Sequence, residues 1–406
     1  MQRASASFCV FYMKNLIVLI AISMFFTLTG CSNGSKSSKQ NHETANMTWE
    51  EEGRPFMSAA FHDIISTGEA DKCLMVDKVV YVGDLSKSPK MIPYCAKAGC
   101  KHDNFDCSAY VGENITEFSP YHNKWYYWNN KEDGSHSNLI EHDPKTNERK
   151  TLWQTESREE NGRIYRYSIN PNMIKDGKVY FSVFEMIFDA QGDTVQTEYI
   201  HALDIHSGED IILLEFIPTE TPYVLEAVSE KALFLENEIG VVDIGGGYET
   251  YVELLEMNLE TQEIRTVVSA DKKMHSHFHP YGKTFEDDLV YVTDNELHVF
   301  DTKTGKDSLV ETIEEGRMLD AIILGNVIYW TVEKEDHIGY AYKTDLIKGN
   351  TVPVDQPYKD SHFIFSLYGA AGNGVFGELD RENTKVWMDR DAFEQGLYDQ
   401  AVIPEY

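Results

Sequence analysis

One phrase recurs along this chain, and it limits the possible folds more than any other feature. Turn residues lead into a short, aromatic-rich β run. The run reads "VDKVVYVG" (76–83), "YHNKWYYW" (121–128), "KDGKVYFS" (175–182) and "SEKALFLE" (229–236). It returns as "EDDLVYVT" (286–293), "LGNVIYWT" (324–331) and, more weakly, "GNGVFGEL" (372–379). The aligned aromatic positions are Tyr81, Tyr127, Phe181, Phe234, Tyr291 and Tyr329, with Gly377 as a degenerate seventh. A strand-based repeat of about 50 residues points to a radial β architecture.

A second phrase follows most of these runs after one more strand: "HDPKTNER" (142–149), "LDIHSGED" (203–210), "MNLETQEI" (257–264), "FDTKTGKD" (300–307) and "TDLIKGNT" (344–351). Asp or Asn at the start can bond its own backbone, and the residue four places on accepts a left-handed conformation. Each repeat thus reads as strand, turn, strand, Asx-started hairpin, strand. The expected fold is all-β, a β-propeller of four-stranded blades with seven blades. Runs such as "VVYV" and "VIYW" lack polar alternation, as strands packed on both faces do. Aromatic residues make up 12% of the chain, which suits strands. A sandwich, or two smaller β domains, is the alternative. The irregular end repeats leave six or eight blades as other counts.

Ahead of the repeats, Lys14 precedes an apolar stretch from Leu16 to Phe26 and then "LTGC" (28–31). This is the order of a secretory signal peptide, and the apolar core is shorter than the roughly 20 residues of a membrane span. Leu28-Thr29-Gly30-Cys31 resembles the bacterial lipobox, which implies lipidation of Cys31. The domain reading is therefore a lipoprotein signal peptide over 1–30 with its start at Met13. The lipidated cysteine and a flexible tether follow over 31–52, and the propeller over 53–406. The Ser-, Asn- and Lys-rich string after Cys31 buries too little apolar surface to offset the entropy of ordering. A transmembrane anchor with a chance cysteine is the competing reading. The expected location is the cell membrane, lipid-anchored on its extracytoplasmic face.

The formal net charge is −31, and loss of residues 1–30 removes only the cations Arg3 and Lys14. Such a surface repels nucleic acid and anionic lipid. The expected partners are the membrane, through the N-terminal lipid, and an unknown ligand or protein, with no nucleic acid.

The densest chemistry lies in "YCAKAGCKHDNFDCSAY" (94–110), where Cys95, Cys100, His102 and Cys107 are spaced C-x4-C-x-H-x4-C. Three sulfurs and an imidazole form a donor set for a closed tetrahedral zinc site. Export favours disulfides instead, and Cys73 brings the folded-domain cysteines to an even number. Disulfides, a structural zinc and free thiols all stay open at this point.

The lipobox, the tether, the cysteine segment and the aromatic repeats together resemble the uncharacterised surface β-propeller lipoproteins of anaerobic clostridia. The resemblance spans essentially the whole mature chain. It implies fold and location and carries no mechanism.

"MHSHFHPY" (274–281) sets His275, His277 and His279 at alternate positions, so on a strand they share one face and form a weaker metal candidate. "DIGGGYE" (243–249) lacks the Lys-Ser/Thr of a phosphate loop and reads as a plain loop. The "WYYW" cluster (125–128) reads as packing between blades. No nucleophile elbow, metalloprotease helix or EF-hand loop occurs. Three function classes follow. The leading one is a binding or scaffolding propeller without enzymatic activity. The others are a carbohydrate-active or other hydrolytic enzyme, and an envelope assembly or sensing factor.

Overall fold

The computed structural model describes residues 57–58, 64–66 and 73–405, except 132–135, 161–162, 189–193, 217–222, 244–247, 269–287, 294–295, 302–303, 313–316, 325, 335–338, 355–364, 372 and 380–383. The chain is a β-propeller. Among the described residues the strands fall into seven antiparallel sheets that follow one another along the chain. They are numbered here from first to seventh. The first runs Ile64–Ser66, Cys73–Val76, Val80–Gly83 and Ile92–Pro93. The second holds Ile115–Tyr121, Lys124–Asn130, His136–Asp143 and Glu148–Glu156. The others begin at Arg158, Tyr223, Asp288, Arg317 and Phe365.

Strand number departs from the uniform four expected. The second and third sheets carry five, because Met57–Ser58 pairs with Ile115–Tyr121 and Arg158–Glu160 pairs with Arg163–Lys175. The first strand of a sheet leaves one row of backbone groups open, and both additions cover such a row. The fifth and seventh sheets show three strands among the described residues.

The core is divided among the interfaces between sheets. Val80 and Tyr94 of the first region pack with Phe118, Trp125 and Tyr127 of the second sheet. Tyr126 and Trp128 meet Val179 and Phe181 of the third, and Tyr180 and Ile200 meet Leu233 and Leu235 of the fourth. Phe234 packs with Tyr291 and Phe300, Leu297 with Ile328 and Trp330, and Tyr329 with Val375 and Phe393. Phe376 and Trp387 of the seventh sheet then pack on Leu85 and Met91, which closes the circuit onto the first.

Adjacent residues of one strand point to opposite neighbours. Tyr126, Tyr180, Phe234, Tyr329 and Phe376 therefore face the following sheet, whereas Tyr127, Phe181 and Tyr291 face the preceding one. The aligned aromatics do not share a single structural position. The seventh repeat has its aromatic after all: Phe376, fully buried, sits one residue ahead of Gly377. Burying each such ring contributes on the order of 1.5–3 kcal/mol.

The C-terminal tail adds a backbone link across the closure. Trp387 and Val402 exchange two hydrogen bonds of 2.9 and 2.8 Å, so the tail lies alongside the last strand of the seventh sheet. Glu405 then accepts from the N–H of Met91 and donates to the carbonyl of Pro89, both at 2.7 Å. One short segment is thus laced to both the seventh and the first sheets.

The Asx hairpins form as the sequence demands. The N–H of Asn147, Gly208, Gln262, Gly305 and Gly349 donates at 2.7–2.8 Å to the carbonyl of the Asx residue four places before it. Each of these five donors has φ between 58° and 76°. The Asx carboxylate or amide oxygen accepts the intervening N–H groups, as Asp204 does from His206 and Ser207.

Candidate metal centre

The cysteine segment leaves the first sheet after Tyr94 and returns at Ala109. Val80 binds both ends: its carbonyl accepts from Tyr94 N–H, and its N–H donates to Ala109 O, each at 2.8 Å. Between these anchors the chain makes two tight turns. Cys100 N–H donates to Lys97 O across a turn in which Gly99 takes φ 71°, a conformation glycine adopts without steric cost. His102 takes φ 58°, a region that costs a residue with a side chain roughly 1–2 kcal/mol. Asn104 Oδ1 accepts from Asp106 N–H, and Cys107 N–H donates to Asn104 O.

These turns gather the four donor side chains. The sulfurs of Cys95, Cys100 and Cys107 and the imidazole of His102 place one donor atom each within 4.8 Å of all the others. His102 Nδ1 lies 3.1 Å from Cys107 Sγ. All three thiols are free. Cys107 is buried, while Cys95, Cys100 and His102 are half-buried. Burial pushes the Cys107 thiol up to about 12, and the neighbouring Cys100 and Cys95 thiols push the same way. The backbone N–H of His102 instead holds the Cys100 thiol below its ordinary value.

The second sheet helps to hold this loop. Arg149 Nη2 donates to the carbonyls of Cys107 at 3.1 Å and Tyr110 at 2.7 Å, and Nη1 donates to Phe105 O at 3.0 Å. Asn147 Nδ2 donates to the same Phe105 carbonyl. The guanidinium also lies over the Phe105 ring, 5.2 Å from its centroid. Both residues sit at the second-sheet Asx hairpin, Asn147 in its left-handed position. Sequence reading missed this contact, because nothing local in "HDPKTNER" signals a partner some 40 residues earlier. Beneath the hairpin His142 is buried and held neutral, its pKa lowered to about 3 by burial and by the Arg149 charge.

Cys73 lies on the strand Cys73–Val76, but its side chain is outside the described residues, as are Cys31, His275, His277 and His279. The structure therefore brings together the four residues of the spacing motif and says nothing of the other candidates.

Several other buried or half-buried polar groups are paired within a sheet or between a sheet and the C-terminal helix. His201 stacks on Phe181 and bonds Asp210 at 2.9 Å, and His298 stacks on Tyr291 and bonds Asp307 at 2.9 Å. Arg265 Nε bonds Glu256 at 2.6 Å. Glu394 accepts from Tyr329, Lys343 and Arg390 beside an open cleft near the C-terminal helix. Glu198 stands apart: it is fully buried, accepts from Tyr223 N–H at 3.1 Å, and has its pKa raised to about 8 by burial.

No family profile and no curated protein matches the sequence. Solved structures that resemble the fold include an oligogalacturonate lyase in complex with manganese, at 13% identity and a TM-score of 0.48, covering 82% of this chain and 89% of that one. A puromycin hydrolase resembles it at 12% identity and a TM-score of 0.48 over 86% of this chain and 54% of the hydrolase. The β-propeller domain of the trilobed protease from Pyrococcus furiosus does so at 12% identity and a TM-score of 0.42, over 84% and 93%.

Proposed function

We propose that this chain is an extracytoplasmic, lipid-anchored β-propeller that works by binding a ligand or partner protein at its loop-built rim. The observation that carries the reading is how the described polar groups are used. His201, His298, Glu256 and Glu394, each charged or able to become so, are already engaged by Asp210, Asp307, Arg265 and the Tyr329–Lys343–Arg390 set. The cysteine cluster is a full set of four donors, the composition of a structural centre rather than of a catalytic one that keeps a position for water. The lipobox at Cys31 and the polar string behind it support the anchored location, and the strongly acidic composition supports exclusion of nucleic acid.

The anchor is tested with Cys31→Ser expressed in a Gram-positive host. Loss of detergent-phase partitioning and release to the medium is the expected result; unchanged membrane retention removes the lipoprotein reading. Binding is separated from catalysis by incubating the purified mature chain with glycan and peptide substrate panels. No turnover is expected, and turnover abolished by His277→Ala assigns the enzyme class instead.

A further inference from the structure

We propose that Cys95, Cys100, His102 and Cys107 bind one zinc ion as a closed structural site, and that the ion locks the connection between the first and second sheets.

Four observations converge. The donor type is the first: three sulfurs and one imidazole suit zinc, and no carboxylate or carbonyl in the set would favour calcium or magnesium. Size is the second. A tetrahedral zinc with bonds of about 2.3 Å to sulfur and about 2.0 Å to nitrogen sets its donors roughly 3.5–3.8 Å apart. Donors that all lie within 4.8 Å of one another need only small shifts, the wider pairs contracting and the His102 Nδ1–Cys107 Sγ pair, at 3.1 Å, opening by roughly a few tenths of an ångström.

Parity is the third. Three sulfurs share the cluster, so a disulfide within it pairs two, leaves the third with no partner but Cys73 outside the cluster, and leaves the imidazole without a task. His102 nonetheless adopts a left-handed backbone that turns its ring toward Cys107. The loop itself is the fourth. From Cys95 to Ser108 only Cys107 is buried, so the segment has almost no apolar core with which to hold two tight turns. Small elements of this kind are held by a cross-link, and a metal supplies one.

Binding is a proton-for-metal exchange. Zinc with two positive charges takes three thiolates and one neutral imidazole, releasing three protons and leaving a centre of net charge −1. The Arg149 guanidinium, bonded to the Cys107 and Tyr110 carbonyls, sits where it offsets that charge. Cys107 belongs to the core patch that includes Val79, Tyr94, Tyr110 and Trp125, and Cys95 and Cys100 pack against it, so ligation fixes the first–second interface.

The test is elemental analysis of the full mature chain, purified without added metal or chelator, with thiol titration in denaturant. About one zinc per chain is expected, with Cys95, Cys100 and Cys107 titrating only after the metal is removed. His102→Ala is expected to weaken zinc retention against a chelator by more than about tenfold. Should a ligand variant fail to fold, the wild-type chain still decides the matter. Exchange of its metal for cobalt gives an intense sulfur-to-cobalt absorption band and tetrahedral visible bands. Absence of zinc with no titratable thiol, iron with acid-labile sulfide, or cobalt bound without a sulfur band each overturns the proposal.

Discussion

Arg149 Nη2 stands 3.1 Å from the carbonyl of Cys107 and 2.7 Å from that of Tyr110. One side chain of the second sheet thus bonds a loop that follows the first. Hydrogen bonds from a charged donor contribute about 1.5–3 kcal/mol each at most, and they act here on a loop with one buried residue. Arg149→Met keeps much of the apolar stem and removes the fork. Zinc is expected to leave this variant for a chelator about tenfold faster than wild type, with a loss of roughly 2 kcal/mol in unfolding free energy. Stopped-flow chelation and denaturant titration read the two effects. An unchanged release rate shows that the loop holds its geometry without the second sheet.

The C-terminal tail makes two bonds to Trp387 and two to the Pro89–Met91 segment. A chain ending at Gln400 loses all four and exposes the Phe376, Trp387, Leu85 and Met91 cluster, against which Val402 packs. The expected cost is about 2–4 kcal/mol, seen as a lower melting temperature and faster proteolysis. An unchanged melting temperature places the ring closure elsewhere.

Glu198 gives stability an unusual pH dependence. Its native pKa is about 8 against an unperturbed 4.5, so between these values the native chain holds a proton that the unfolded chain releases. The resulting stability is fully present below about pH 4.5 and is lost as pH rises through about 8. Asp204 and Asp345 act in the opposite sense. Backbone N–H donors hold Asp204 below the usual carboxylate range, and the Lys348 side chain together with backbone donors does so for Asp345. Their contribution is present above that range and lost in acid. Glu198→Gln is expected to remove a drop of about 2–4 kcal/mol between pH 5 and pH 8.5. Urea midpoints at the two pH values test it, and equal drops in wild type and variant contradict it.

Gln262 occupies the left-handed hairpin position with φ 58°, where three of the other four hairpins place glycine. Gln262→Gly is expected to stabilise the chain by about 0.5–1 kcal/mol, since relief of backbone strain outweighs the added freedom of the unfolded glycine. A denaturant midpoint that falls instead assigns the glutamine side chain a contact of its own.

Local chemistry was legible in the sequence where it repeats. The Asx hairpins at Asp143, Asp204, Asn258, Asp301 and Asp345 follow from side chains that bond their own backbone, so a short window contains the whole cause. The β-propeller follows from the same repetition. The phase of the strands was less legible: Tyr127 and Phe234 align by eye yet face opposite neighbours, because one residue of slip reverses the face. That is also why Phe376 was passed over for Gly377. The donor set Cys95, Cys100, His102 and Cys107 was readable as a spacing, but its three unpaired sulfurs were not. Arg149, the Glu405 link and buried Glu198 were invisible for a common reason. Each depends on a partner brought near only by closing the sheets on one another, and no periodicity records that.

The most direct measurement is a crystal of the mature chain with diffraction collected on either side of the zinc absorption edge. The account predicts one anomalous peak within about 2.0–2.4 Å of Cys95 Sγ, Cys100 Sγ, His102 Nδ1 and Cys107 Sγ, present only above the edge. Continuous density joining any two of those sulfurs, with no peak between the four residues, contradicts it.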